Sequence, residues 1–218
     1  MWPAGGRPTA EVVECIDRVI LYAAVLFGWF FLCRAGEYVQ SGPMEPGRVF
    51  RGVDVKVFEE AGQWRTDVSF RKTKTDQQAF GCVRTQYAVK DKARGEVCVV
   101  EAMRMMRAWR PNRFGDGTEA HLALFRWCSG RMLKREDLQE LLQKAAEAVG
   151  LPKERFKSHS LRIGGASAML HATRQFDFVK RFGRWSSDAV HGYPHDSAEQ
   201  SLPLASQMAR DRASVHYA

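Results

Sequence analysis

From Val19 to Cys33 the chain runs for 15 residues without a charge (VILYAAVLFGWFFLC), between Asp17–Arg18 and Arg34. No other feature restricts the fold as strongly. A helix that is apolar on every side must be buried on every side. The run is shorter than the roughly 20 residues a membrane-spanning helix needs. It predicts the buried central helix of a soluble domain, over Glu11 to Phe31 and ending near Cys33. A membrane span is the alternative that this length disfavours. The whole chain, 218 residues, fits one domain with a core of its own.

The sequence around that helix changes period. Residues 1 to 10 read as a loose lead-in with Pro and Gly. Val53, Val55 and Val57 alternate with polar residues, as do Val68 and Phe70, and Phe80 to Val89 resumes the pattern. Alternation of this kind marks half-buried strands. It predicts a three-stranded antiparallel sheet, with the turn Thr73 to Gln78, and Lys74 in it, at the tip of its second hairpin. The rest reads as mostly helical: Val97 to Trp109, stopped by Pro111; Arg135 to Val149, with Gly150 as its cap; about Ser160 to Ala172; and Phe176 to Phe182, with Gly183 after it. Ser186 and Ser187 suit the N-cap of a last short turn reaching His191. The fold class is mainly α with one small antiparallel sheet.

Lysine plus arginine exceeds aspartate plus glutamate by eight. Such a surplus favours a polyanionic partner, nucleic acid before a membrane surface. The stretch Arg104 to Arg113 (RMMRAWRPNR) reads either as a DNA-phosphate contact or as the wet face of a helix. Five cysteines at 15, 33, 82, 98 and 128 are odd in number and form no C-x-x-C pair. They read as small buried apolar residues in a reducing, intracellular compartment, nuclear if the host is eukaryotic and cytoplasmic otherwise. His191 and His195 are four apart, but Gly192 and Pro194 between them break helical geometry, so no metal site is expected. No glycine-rich nucleotide loop is present, and no cofactor is expected.

The chemistry-bearing residues cluster late in the chain. Ser158 to Met169 reads SHSLRIGGASAM, with His159 and Arg162 three apart on one helix face. An arginine there can fork onto two phosphate oxygens while the histidine serves a neighbouring group. Gly164 and Gly165 weaken a helix, which suggests that close packing needs them. After one short helix comes GRWSSDAVHGY, with Tyr193 eight residues past Trp185. Each residue alone has an ordinary explanation. Arg34 would snorkel from the apolar helix, Trp185 would be core, and Lys74 and Tyr193 would be solvated surface residues.

Taken together, HSLRIGGAS, GRWSSDA and the following tyrosine resemble the C-terminal signature of tyrosine recombinases, the phage-type integrase family. The wording is most similar to recombinases of crypton and DIRS-like mobile elements. Two earlier features agree with it. FLCRAGEY places Arg34 and Glu37 in an R-x-x-E relation at the end of the apolar helix, and the TKTDQ turn supplies Lys74, with Lys72 as the alternative. The resemblance covers Glu11 to His195 and implies a catalytic domain over 11–195. Residues 196–218 form a tail, which would be either a docking helix for a neighbouring protomer or a frayed end.

The resemblance implies DNA cleavage and rejoining without metal or ATP. Arg34 and Arg162 would clamp the phosphate, and His159 and Trp185 would donate to it. Tyr193 would attack to form a 3′-phosphotyrosine, and Lys74 would protonate the departing 5′-oxygen. Glu37 would orient Arg34. Positive groups set in place before charge develops are what this chemistry needs. The partners implied are double-stranded DNA, a tetrameric synapse and an N-terminal DNA-clamping domain, for which almost no chain precedes the first helix. That shortness is one departure from the family pattern, and a second is local: Tyr193 lies between Gly192 and Pro194, and proline pushes the residue before it toward extended backbone. A catalytically impaired DNA-binding module and a type IB topoisomerase-like activity therefore stay open beside recombination.

Overall fold

The structure, a computed structural model, describes residues 8–42, 49–71, 81–89 and 96–186. Lys72, Lys74, Ser187, His191, Tyr193, His195 and the tail 196–218 lie outside the described residues. The apolar run forms α1, Ala10–Phe30. Thr9 caps it, its side chain accepting from Val12 N at 3.4 Å. As its composition demands, α1 is the centre of the domain. Ile20, Ala23, Ala24 and Phe27 are fully buried, and α1 packs against both α3 (Val99–Trp109) and α5 (Ser158–Thr173). Among the described residues, no helix is long and apolar enough to cross a membrane.

The end of α1 is unusual. Leu32 N donates to Trp29 O, and Cys33 N reaches back to Gly28 O at 3.0 Å. That pattern is a Schellman cap. The residue in its left-handed position is not glycine but Leu32, with φ 51°. Helix α4 (Arg135–Ala148) closes in the same way with the expected glycine, Gly150 at φ 75° and Leu151 N bonded to Ala146 O. Immediately after the cap of α1 the chain restarts as the one-turn helix α2, Ala35–Tyr38.

The sheet is as the alternation predicts. Strands β1 (Val55–Glu60), β2 (Gln63–Phe70) and β3 (Cys82–Tyr87) run antiparallel in the order β1-β2-β3. The β1–β2 turn is Ala61–Gly62, both at positive φ, the geometry that matches strand twist in a two-residue hairpin. Val53 sits in a 3-10 turn just before β1 rather than in the strand. Among the described residues the β2–β3 pairing ends at Phe70–Cys82. Strand β3 is tied to the helices. Gln86 Nε2 donates to Phe30 O at 2.9 Å, and Arg84 Nε to Phe182 O at 3.0 Å, the last residue of α6 (Phe176–Phe182).

Helices α3 to α6 fall within two residues of their expected limits. α5 starts two residues early, because Lys157 N finds the Ser160 hydroxyl at 3.0 Å and closes the first turn around Ser158 and His159. Its two glycines prove structural. A Cβ on Gly165 would lie 2.2 Å from Trp29 O, and one on Gly164 2.3 Å from the Trp29 ring. They allow α5 to cross close over the C-terminal end of α1.

Between Phe114 and Lys134, where the sequence predicts no element, the chain forms neither helix nor strand. That segment is irregular yet carries the core residues Leu124, Phe125 and Leu133. Its order comes from Arg113, which is 1% exposed. Arg113 Nη1 donates to Arg126 O and Nη2 to Trp127 O at 3.1 Å. One face of the basic stretch 104–113 is solvent-exposed, at Met105, Arg107, Ala108 and Trp109, and two of its arginines also bind within the chain. Arg104 pairs with Glu101 at 2.8 Å and stacks on Trp64, and Arg107 donates to Val57 O at 2.5 Å. Cys33 and Cys98 are buried, but Cys15 is exposed, so the cysteines are not uniformly core residues.

Candidate functional site

Four of the six expected site residues lie among the described ones, and the fold brings them to one place, the C-terminal end of α1. Arg34 arrives from the cap of that helix. His159 and Arg162 come from the first two turns of α5, and Trp185 from the segment after α6. More than 120 residues of sequence separate the first from the others.

Arg162 is the hub. It is 1% exposed. Its Nη1 donates to Leu32 O, the carbonyl turned inward by the strained cap of α1, and its Nη2 donates to Gly183 O at 2.8 Å. The guanidinium lies 4.0 Å from the Trp185 ring centroid. Burial, then the charge of Arg34, pull Arg162 down to about 10. It remains cationic at neutral pH, but it is held between two backbone carbonyls and an indole. Trp185 itself is 9% exposed and presents a ring face to Arg162. It joins the core and the site at once.

Arg34 is more open, its side chain 29% exposed. It starts α2, where Glu37 accepts from its backbone N at 2.7 Å and from its Nη1 at 3.3 Å. The R-x-x-E spacing is therefore a helix start in which the carboxylate satisfies an otherwise orphaned N–H. His159 is exposed beside this pair. Partial desolvation, followed by the charges of Arg162 and Arg34, lowers its proton affinity below that of an ordinary histidine. A neutral imidazole thus sits next to two cations. Burial raises the Cys33 thiol far above its usual range, so it stays a neutral neighbour.

One residue of the site was not singled out in the sequence. Arg184, in GRW, is 8% exposed and donates from Nη2 to Glu37 Oε2 at 2.8 Å and from Nη1 to Phe31 O at 3.3 Å. Its guanidinium lies 3.6 Å from the ring centroid of Phe70, the last residue of β2. The only hint in the sequence was its place between Gly183 and Trp185. A Cβ on Gly183 would collide with the Trp185 ring at 1.6 Å, so the ring folds back over this glycine. The left-handed turn at Arg184, φ 62°, makes this possible.

Three arginines and a histidine therefore gather around Glu37, the one carboxylate that pairs with Arg34 and Arg184 among the described residues. Such an arrangement attracts an anion: positive groups are fixed before the ligand arrives and partly shielded from water, at the N-terminal end of α5, where the helix dipole is positive. No cluster of metal-ligating side chains is found among the described residues.

No protein-family model matches the chain, and no curated protein matches it. Solved structures do. The XerH site-specific recombinase bound to its difH substrate in a pre-cleavage complex superposes with a TM-score of 0.54 at 15% identity, over 94% of this chain and 50% of that one. Its post-cleavage complex on a palindromic difH substrate gives 0.56 at 15% identity, over 94% and 48%. The XerA recombinase gives 0.55 at 14% identity, over 93% and 65%. This chain thus spans about half the length of XerH. At such identity the likeness is one of fold. The chain has the mainly α architecture, with a three-stranded antiparallel sheet, of a tyrosine recombinase catalytic domain.

Proposed function

We propose that residues 11–195 form the catalytic domain of an enzyme that cleaves and rejoins DNA strands through a phosphotyrosine at Tyr193. The observation that carries this is the gathering of Arg34, His159, Arg162 and Trp185, from three distant segments, into one electropositive site within a recombinase fold. Arg34 and His159, the more exposed pair, contact the non-bridging oxygens of the scissile phosphate. Arg162 adds charge from behind, steadied by Trp185. The Tyr193 oxygen attacks phosphorus, its proton passing to the neutral His159, and the bond to the 5′-oxygen breaks. Lys74, or Lys72 in its place, supplies the proton that the leaving oxygen takes. The phosphate bond is conserved in the protein–DNA link, so the cycle needs neither metal nor ATP. Double-stranded DNA is the substrate, and the working form is a tetrameric synapse completed by an N-terminal clamping domain. The GRWSSDA and RIGGA wording supports an origin in a crypton or DIRS-like element.

A nicked suicide duplex carrying the cognate site tests this. The expected result is a covalent protein–DNA adduct that is lost in Tyr193→Phe. Intact DNA binding without an adduct would overturn it in favour of a second reading, a non-catalytic DNA-binding module. One observation favours that second reading: Arg162 is 1% exposed and gives two of its five N–H donors to backbone carbonyls, so it presents little surface to a phosphate.

A further inference from the structure

Arg184 differs from the other arginines of the site in what it holds. It occupies a left-handed backbone conformation that non-glycine residues seldom adopt. The surrounding contacts keep it there: Phe31 O accepts from Nη1, the Phe70 ring lies beneath the guanidinium, and Glu37 Oε2 accepts from Nη2. Glu37 is consequently divided. Its Oε2 accepts from Arg184 on the buried side and from Arg34 N, and its Oε1 accepts the longer, 3.3 Å bond from Arg34 Nη1. A carboxylate shared between two guanidinium groups neutralises neither fully. With Arg184 absent, Glu37 would be free to form the two-point fork with Arg34 that such pairs favour. The exposed cation of the site would then be spent on an internal partner.

We infer that Arg184 is a positioning residue: by holding Glu37 from the buried side, it leaves the charge of Arg34 available beside His159 and Arg162. This rests on the site proposed above and names what sets its charge. Arg184 itself touches no substrate.

The test is a proton NMR titration of His159 in the free protein, whose imidazole senses Arg34 and Arg162. In Arg184→Met, confirmed as folded by its circular dichroism melt, His159 titrates at higher pH than in the parent. In a Glu37→Gln background the same substitution leaves the titration where it is, because there is no carboxylate left to close on Arg34. An equal shift in both backgrounds means a direct field effect of Arg184 and overturns the inference, as does no shift in the parent background. If Arg184→Met does not fold, Arg184→Lys serves, since it keeps the charge but loses the fork; a smaller shift in the same direction is then expected, again only while Glu37 is present. On the nicked duplex, Arg184→Met forms adduct about tenfold more slowly with DNA affinity nearly unchanged. A parent protein that forms no adduct sinks the proposed reaction, and the titration still decides the role of Arg184.

Discussion

Two regions of this molecule are built from the same parts. At the end of α1, Glu37 is shared by Arg34 and Arg184, with Arg162 beside them. In the irregular segment after α3, Glu119 lies 2.7 Å from Arg126, 3.5 Å from Arg110 and 3.6 Å from Arg113. Each region has one arginine that is 1% exposed, and burial lowers both Arg162 and Arg113 to about 10. Composition and charge do not separate them. Connectivity does. The Glu119 group lies within about 20 residues of chain, and Arg113 gives its terminal nitrogens to carbonyls of its own loop. It replaces the hydrogen bonds that a helix or strand would have supplied. The Glu37 group joins segments more than a hundred residues apart and adds an exposed histidine and an indole. A buried arginine with a depressed proton affinity is therefore no mark of a site. A charge surplus assembled from distant segments, with an open cation beside it, is.

The sharpest way to break this comparison is to remove one arginine from each group. Arg34→Ala should slow covalent adduct formation on a nicked duplex by about 100-fold or more, the scale for losing one preorganised charge partner. Its thermal or denaturant stability should change by only about 1 kcal/mol or less, since the pair it breaks is partly exposed. Arg113→Met should do the reverse. It strips buried carbonyls of their donor and should cost about 2–4 kcal/mol in urea unfolding, with adduct formation by the folded fraction unchanged. A large adduct defect in folded Arg113→Met would erase the distinction between the two regions.

Smaller effects sharpen it. Gly165→Ala forces a Cβ against Trp29 O and should destabilise the protein by about 1–3 kcal/mol, while reducing adduct yield by shifting α5 and the residues it carries. The smallest expected effect concerns pH. His159 binds its proton less readily in the folded chain than in the unfolded one. The unfolded state therefore takes up more protons just below the ordinary histidine range of about 6.5. Stability should fall slightly as pH drops through that value toward the folded titration point, and be level above it. His159→Gln should remove that increment from urea-derived stabilities, and in Arg34→Ala the imidazole should titrate at higher pH. An unchanged titration in Arg34→Ala would show that the two side chains do not share a site.

Much of the fold is legible in the sequence, for definite reasons. α1 is readable because an apolar run of its length has few soluble solutions, and the hairpins because alternation has one face to bury. Gly150 announces a left-handed cap. Leu32, which takes the same conformation at the end of α1, carries no such sign. The segment from Phe114 to Lys134, to which the sequence assigns no element, hides its order because that order depends on Arg113 and Glu119, whose pairing leaves no period in the sequence. Arg34, His159, Arg162 and Trp185 can be named from the motif order alone. Lys74 and Tyr193 rest on that order still, and lie outside the described residues.

Residue types and spacing by themselves determined which elements form and which side chains could serve a phosphate, because periodicity and local geometry are encoded within a few residues. Only the tertiary structure decided how charge is distributed among them. Arg162 faces backbone carbonyls and an indole, Arg34 stays half-open, and Arg184 holds the carboxylate that would otherwise be free to close on Arg34. Those outcomes depend on contacts between different elements, from Arg162 with Gly183 and Trp185 to Arg162 with Leu32 and Arg184 with Glu37, the last two more than a hundred positions apart. There burial and one shared carboxylate decide which charges stay open.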